Sequence, residues 1–393
     1  MTGHQPTRPW ATIAAATALN LPLGTLYAFS VFLKPLEPLI GATRAELSLV
    51  FGLATIGFTV GMNLAPALFR LGAAPLLVLA CAATSTAGIA LSAFAGSIVE
   101  LAIGYGVLFG LGGGVAYILV QQAVNLVVRS HRGLVNGYVI ALYPAGAMVA
   151  APVFGWCNEA YGVRTTLAGL ALLLALTGGG TAWLFRYSGV ILSSPALARP
   201  EAAPIGRRQV FWQLWCIFFL AAAAGLMVLS QAAGMVQAYG GSLTLALFGT
   251  TYITGCIACA RVGGGWLADR FAIPRVMAAA HGFALLGSLT LTLWPGPLVA
   301  MFTLAMVGIG YGIVSGCTAA AVAFYWSSTA YGKMASRLYI AWCVAAISLP
   351  VIAGWLYDLS GGYRMAVLLA AGGNLIGALV ALALPRPAAP RPA

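Results

Sequence analysis

The sequence predicts an all-α membrane protein with twelve transmembrane helices in two six-helix halves. Hydrophobic residues make up 61% of the chain and charged residues only 7%, whereas soluble domains carry about 25% charged residues. Apolar residues run for about twenty positions at a time between short polar breaks, as a spanning helix requires. A membrane β-barrel would instead alternate apolar and polar residues. Because hydrocarbon offers no partner for free backbone groups, helices are the remaining way to span.

The apolar windows divide the chain into six helices, a linker and six more helices. The linker, residues 187–208, contains Pro195, Pro200 and Pro204 and is the longest non-apolar stretch. It separates an N-terminal bundle, 1–186, from a C-terminal bundle, 209–385, and residues 386–393 form a tail. The predicted helices lie near 10–33, 45–69, 72–95, 98–127, 133–156, 164–186, 209–235, 243–268, 274–294, 297–325, 335–356 and 364–385.

The positions of lysine and arginine predict the orientation, because cytoplasmic loops collect these residues. With the N-terminus in the cytoplasm, fourteen of the nineteen lie inside, four lie outside, and Arg261 falls within a helix. We therefore expect both termini and the linker to be cytoplasmic, in a bacterial cytoplasmic (inner) membrane. The formal net charge of +12 then reflects topology, and we expect no nucleic-acid partner.

The two halves repeat short motifs at an offset of about 200 residues. Gly110-Leu-Gly-Gly-Gly114 corresponds to Gly308-Ile-Gly-Tyr-Gly312, and the segment from Pro152 to Arg164 corresponds to the segment from Pro350 to Arg364. Two parallel six-helix repeats resemble the major facilitator architecture, in which the substrate site lies near the membrane midplane.

A glycine-rich segment at the end of the eighth helix strengthens this resemblance. Val262-Gly-Gly-Gly-Trp-Leu-Ala-Asp-Arg-Phe, followed by a Pro-Arg pair that ends at Arg275, is similar to the cytoplasmic loop signature of major facilitators. The resemblance implies that Asp269 and Arg270 belong to a cytoplasmic gate. The N-terminal counterpart, Leu68-Phe-Arg70-Leu-Gly72, supplies Arg70 but lacks the acid, so a symmetric gate is not expected.

The first helix resembles a narrower branch, the oxalate:formate antiporters and monocarboxylate porters. The similarity rests on Tyr27-Ala-Phe-Ser-Val-Phe32-Leu-Lys-Pro35-Leu36 and on Arg44, and it continues through Tyr117, Arg132-Gly133-Leu134 and Tyr143. It implies a secondary transporter that moves a small monocarboxylate anion of the lactate, pyruvate or formate type by alternating access. Tyr27, Tyr117 and Tyr143 match aromatic site positions of the branch, and Tyr311 lies in a helix that lines the superfamily's cavity. The alternative is that each tyrosine is a core or interfacial aromatic residue.

Arg261 is the one charge that the predicted helices place deep in the membrane, about 12 Å beyond Asp269 at the helical rise. A mid-helix arginine is unfavourable by about 2.5–3.5 kcal/mol, and none of the seven acidic residues is predicted near mid-membrane. A guanidinium binds a carboxylate through two charge-assisted hydrogen bonds. The branch that this chain resembles carries a substrate-binding arginine at the matching position. The alternative is an arginine that extends to the interface or bonds carbonyls between helices.

The eleventh helix departs from the oxalate transporters of the branch, which place a lysine there. This chain reads Tyr339-Ile-Ala-Trp342-Cys343-Val-Ala-Ala instead, and a single cation suits a single carboxylate. We expect Trp342 and Cys343 to form an apolar wall for an aliphatic tail. Gln121, with Gln122 and Asn125, is interpreted either as polar lining of the site or as a contact between helices.

Other functions fit the residues less well. A proton-coupled exporter of amphipathic drugs or metabolites would usually present a buried acid, and a sensor built on a transporter fold would need a larger soluble region. We find no arrangement typical of an enzyme, and we expect no cofactor and no metal, since Cys256 and Cys259 lack further ligands. The expected partners are a small organic anion, membrane lipid and a proton or counter-anion, with uniport, exchange and symport all open. We expect a monomer.

Overall fold

The structure is a computed structural model that describes residues 7–192 and 207–385. The tail 386–393 and linker residues 193–206 lie outside the described residues. The described helices are α1 Pro9–Leu23, α2 Ser30–Ile40, α3 Arg44–Leu68, α4 Ala74–Phe94, α5 Ile98–Leu101, α6 Gly110–Val127, α7 Arg132–Tyr161, α8 Val163–Ser188, α9 Arg207–Ala238, α10 Leu243–Arg270, α11 Ile273–Leu293, α12 Pro297–Tyr325, α13 Tyr331–Leu338, α14 Ile340–Ser360 and α15 Arg364–Leu382.

The prediction of twelve spanning helices is confirmed within the described chain. Twelve helical stretches there are long and apolar enough to cross a membrane. Most lie within a few residues of the predicted windows, although the fifth continues to Tyr161 and the eleventh begins at Tyr331. Large apolar side chains such as Phe94 and Leu49 are exposed, as expected for a surface that faces lipid rather than water. The protein is therefore an integral membrane protein of all-α fold.

The first predicted helix, 10–33, is wrong in detail because it is not one continuous α-helix. After Leu23 the chain forms a 3₁₀ turn over Gly24–Ala28 and resumes as α2. Pro22 lacks an N–H group and so weakens the helix at this point. A side chain at Gly24 would overlap the backbone of Tyr143, so this glycine permits the 3₁₀ turn and α7 to touch. The change of geometry places Tyr27 on the 3₁₀ turn.

The predicted helix 98–127 also contains an irregular segment. Its middle, Ala102–Phe109, is π-helical and separates α5 from α6. Gly104 faces Gly88 of α4 at backbone-contact distance. Hydropathy does not distinguish an α-helix from a π-helix, because it reports how apolar a segment is and not which backbone groups pair.

The described chain forms two compact units. The first comprises residues 7–130, 142–192 and 328–336, and the second comprises 131–141, 207–327 and 337–385. In the first unit α3 packs on α6 and α4 packs on α8, while α1 contacts both α6 and α8. In the second unit α12 packs against α9, α10 and α11, and α15 packs against α9 and α11. The N-terminal turns of α7, residues 132–141, belong to the second unit.

A buried histidine ties three helices of the second unit together. The ring nitrogens of His281 on α11 lie 2.9 Å from Oδ1 of Asn374 on α15 and 3.2 Å from the carbonyl oxygen of Ile217 on α9. His281 and Asn374 are both buried. The contacts fit a structural role for His281 as a hydrogen-bonded core residue.

Glycines set the distance between α10 and α12. A Cβ at Gly264 of α10 would overlap the backbone of Ile313 on α12. One position earlier, a Cβ at Gly263 would meet only open space. Two neighbouring glycines of one helix therefore differ in whether the packing requires them.

We predict that Gly264→Ala destabilises the protein by about 1–3 kcal/mol, because the added methyl group forces two packed helices apart. Gly263→Ala is the matched control, and we expect it to leave stability unchanged or slightly raised. Thermal unfolding of the purified variants in one detergent measures both. Equal Tm values for the two variants would contradict the packing described here.

Candidate functional site

Arg261 lies in the interior of the second unit. Its side chain belongs to α10 and is 5% exposed. Nη1 donates a hydrogen bond of 2.9 Å to the carbonyl oxygen of Ile140 on α7. Nη2 donates a second bond, also 2.9 Å, to the hydroxyl oxygen of Tyr311 on α12. Two neighbouring helices thus hold the guanidinium.

Tyr311 supports Arg261 through its ring as well as through its hydroxyl group. The guanidinium carbon lies 5.3 Å from the ring centroid, within the range of a cation–π interaction. A side chain at Gly225 on α9 would overlap this ring, so the ring packs directly on the α9 backbone. Tyr311 is 1% exposed. The phenol therefore has a fixed position from which its proton can be donated to another acceptor.

The backbone of Arg261 is enclosed as closely as its side chain. A Cβ at Gly316 on α12, or at Gly137 on α7, would overlap the carbonyl oxygen of Arg261. Gly265, one turn further along α10, lies equally close to Gly133. The three helices consequently approach one another at backbone distance around this arginine, as small residues allow in membranes.

Asp269 holds the beginning of α7. One carboxylate oxygen accepts a hydrogen bond of 2.7 Å from the backbone N–H of Gly133, and the other accepts one of 2.8 Å from Leu134. The first N–H groups of a helix lack partners within the helix, and they carry the positive end of its dipole. A carboxylate satisfies both requirements. Asp269 therefore links the cytoplasmic-loop signature to α7.

The other two gate candidates lie on the surface. Arg270 is exposed, with its guanidinium carbon 4.2 Å from the centroid of the Trp266 ring. Arg70 is exposed in the turn that follows α3. The structure thus gives Asp269 a defined contact with another helix and leaves the two arginines near the surface.

The predicted tyrosines of the N-terminal half form an aromatic cluster in the first unit. The ring of Tyr143 lies 4.9 Å from Tyr117 and 6.4 Å from Tyr27 between centroids. Phe58, which sequence reasoning missed, lies 5.5 Å from both Tyr117 and Tyr143. The hydroxyl of Tyr143 donates to the carbonyl oxygen of Gly113 at 3.3 Å. These three tyrosines therefore share one environment, and Tyr311 belongs to another.

Gln121 and Gln122 contact the segment that leads into α13. Oε1 of Gln121 accepts a hydrogen bond of 2.9 Å from the hydroxyl of Tyr331. Gln122 accepts from the N–H of Gly332 at 2.6 Å and donates to the carbonyl oxygen of Ser328 at 2.9 Å. These bonds fit the interpretation of both glutamines as contacts between helices.

Trp342 and Cys343 are buried near the beginning of α14, at 7% and 8% exposure. Both belong to the second unit, as do Arg261 and Tyr311. Cys256 is partly exposed and Cys259 is exposed on α10. Within the described residues, no group of three or more His, Cys, Asp or Glu side chains lies close enough together to hold a metal ion.

The twelve candidate spans of the described chain define a polytopic membrane protein. The sequence profile of the Major Facilitator Superfamily matches residues 13–346. The chain belongs to this superfamily, whose members are transporters, so it is a transporter and not an enzyme.

Two relatives are similar over most of the chain. The uncharacterized MFS-type transporter YhjX of Escherichia coli (strain K12) is 24% identical over 315 residues, which cover 79% of this chain and 78% of YhjX. Monocarboxylate transporter 11 of Mus musculus is 27% identical over 417 residues, which cover 96% of this chain and 87% of the relative.

A solved structure of the proton:xylose symporter XylE, bound to 6-bromo-6-deoxy-D-glucose, has a similar fold. Its TM-score is 0.75 at 14% identity, and the match covers 96% of each chain. This likeness supports the fold.

We predict that Asp269→Asn destabilises the protein by about 1–3 kcal/mol, because one amide N–H then faces a backbone donor at the start of α7. Asp358→Asn is the matched control, since Asp358 is exposed on α14. Thermal unfolding at neutral pH provides the comparison. A loss of similar size in both variants would show that the contact of Asp269 with α7 contributes nothing specific.

Proposed function

We propose that the protein transports a small monocarboxylate anion across a bacterial cytoplasmic membrane by alternating access, as a monomer with both termini in the cytoplasm. The observation that carries this proposal is the buried guanidinium of Arg261, held beside the hydroxyl of Tyr311. The resemblance to monocarboxylate transporter 11 supports the same class of substrate.

The chemistry of this pair suits a carboxylate. The guanidinium carries five donors and no acceptor, and a tyrosine hydroxyl that accepts from it still has its own proton to donate. Charge-assisted bonds of this kind are shorter and stronger than neutral ones, and a low-dielectric interior strengthens them further. A neutral sugar would gain much less from a buried cation than an anion would.

The sequence of α14 favours one carboxylate over two. Residues 340–360 contain no lysine or arginine, so this helix supplies no second cation for a dianion. Trp342 and Cys343 offer apolar surface instead, which would accommodate a short aliphatic tail. Lactate, pyruvate and formate therefore fit the proposal better than oxalate does.

We propose that Asp269 contributes to a cytoplasmic gate. The contact of its carboxylate with the first N–H groups of α7 would favour the conformation in which it forms, and it would break during the transport cycle. Arg270 and Arg70 would contribute to this gate as surface charges.

We predict that Arg261→Lys lowers the apparent affinity for a monocarboxylate at least about tenfold, because an ammonium group cannot make the paired hydrogen bonds of a guanidinium. Uptake of radiolabelled lactate, pyruvate, formate and oxalate into proteoliposomes at two pH values measures this. Arg275→Lys, at an exposed position of α11, is the matched control and should transport like the wild type.

Outcomes of this experiment separate the alternatives. Saturable uptake of a monocarboxylate that Arg261→Lys impairs supports the proposal, and its dependence on a pH gradient decides whether a proton moves with the anion. Uptake of D-xylose or of an amphipathic cation in place of every anion would overturn the anion proposal. Uptake of anions that is equal in wild type and Arg261→Lys would overturn the role of Arg261.

We predict that Tyr311→Phe raises KM for the anion roughly tenfold, since a hydrogen bond to a charged group contributes about 1.5–3 kcal/mol. The ring remains, so the cation–π contact and the packing on Gly225 persist. Tyr161→Phe, at an exposed position of α7, controls for the loss of a hydroxyl group. An unchanged KM in Tyr311→Phe would remove this hydroxyl from the proposed site.

A further inference from the structure

Helix α7 contains a carbonyl group that lacks the usual helical donor four residues later. In an α-helix the carbonyl of residue i accepts from the N–H of residue i+4. For Ile140 the residue four positions later is Pro144, and proline has no N–H. The Ile140 oxygen instead accepts the hydrogen bond of 2.9 Å from Nη1 of Arg261.

Burial makes this exchange of partners necessary. Ile140 is 1% exposed, so water does not replace the missing N–H, and a buried carbonyl is nearly always paired. Arg261 lies close enough to pair with it because Gly137, three residues before Ile140, lets α7 approach the α10 backbone. The carbonyl without a helical donor and the arginine are therefore complementary.

We propose that Pro144 is a positioning residue for Arg261. By withholding its N–H, it keeps the Ile140 oxygen available as an acceptor, and this oxygen fixes one terminal nitrogen of the guanidinium while Tyr311 fixes the other. A residue with an N–H at position 144 would compete for the oxygen and loosen the arginine. The link to anion transport rests on the proposed function, but the link between Pro144 and Arg261 does not.

The same helix supplies a matched control. Pro152 also lies within α7, and the carbonyl that it leaves without a helical donor belongs to Met148, which is 37% exposed. Pro152 itself is exposed. Replacing either proline by alanine restores one helical hydrogen bond, but only the change at 144 restores one at the carbonyl that Arg261 contacts.

A double-mutant cycle on the full chain, purified in detergent, tests the link without any substrate. Arg261→Met removes the donor to Ile140, and its loss of Tm is measured with Pro144 present and again in Pro144→Ala. We expect Pro144→Ala to reduce that loss by about half or more, because the backbone N–H that this substitution introduces then pairs with the Ile140 oxygen. In Pro152→Ala the loss should equal that in the wild type.

Equal losses in all three backgrounds would overturn the proposal, and Pro144 would then merely shape the helix. If Arg261→Met does not fold with Pro144 present but folds in the Pro144→Ala background, that rescue supports the proposal. The loss of Tm is then measured in both backgrounds with Arg261→Lys, which retains the charge. Failure of Arg261→Met to fold in both backgrounds, with no coupling in the lysine cycle, overturns it.

Transport provides an independent second measurement. Pro144→Ala should raise KM for the anion roughly threefold or more with little change in kcat, because a loosened guanidinium weakens binding. Pro152→Ala should leave both constants unchanged. Thermal coupling without any anion uptake would disprove the substrate proposal alone, whereas a normal KM without thermal coupling would disprove the role of Pro144.

Discussion

The close approach of α7 and α12 to the backbone of α10 is the constraint on which the interior of the second unit depends. Gly137 and Gly316 lie against the carbonyl of Arg261 from two sides, which no residue with a Cβ would permit. At this distance the Arg261 side chain reaches the Ile140 carbonyl and the Tyr311 hydroxyl directly. A buried charge requires such partners, because desolvation without compensation is strongly unfavourable.

This arrangement gives the buried guanidinium two hydrogen-bond acceptors. The Ile140 carbonyl and the Tyr311 hydroxyl are both neutral acceptors, so neither of these two contacts brings a negative charge to the guanidinium. A carboxylate in place of either acceptor would form a closed ion pair and reduce the attraction for an anion. In the proposed function, the substrate brings its negative charge to this guanidinium.

The side chains that bind the first N–H groups of a helix differ in charge between the two units. In the second unit the Asp269 carboxylate binds two N–H groups at the start of α7. In the first unit the neutral amide of Gln122 binds the N–H of Gly332 near the start of α13. The segment around Arg70 lacks an acid, so it offers no carboxylate equivalent to that of Asp269.

Sequence by itself determined the class of protein and the membrane spans and singled out Arg261 as a candidate, because hydropathy and a charge within an apolar helix are properties of a single segment. The tertiary structure decided the 3₁₀ turn that contains Tyr27 and the π-helical segment. It also decided that the three tyrosines of the N-terminal half share one environment and that Tyr311 lies in another. It also showed that the Ile140 carbonyl is a hydrogen-bond acceptor for Arg261. Such pairings depend on the close approach of helices that are distant in sequence. The proline four residues after Ile140 is a local sign of the last pairing, but the sequence alone does not show that Arg261 binds the Ile140 carbonyl.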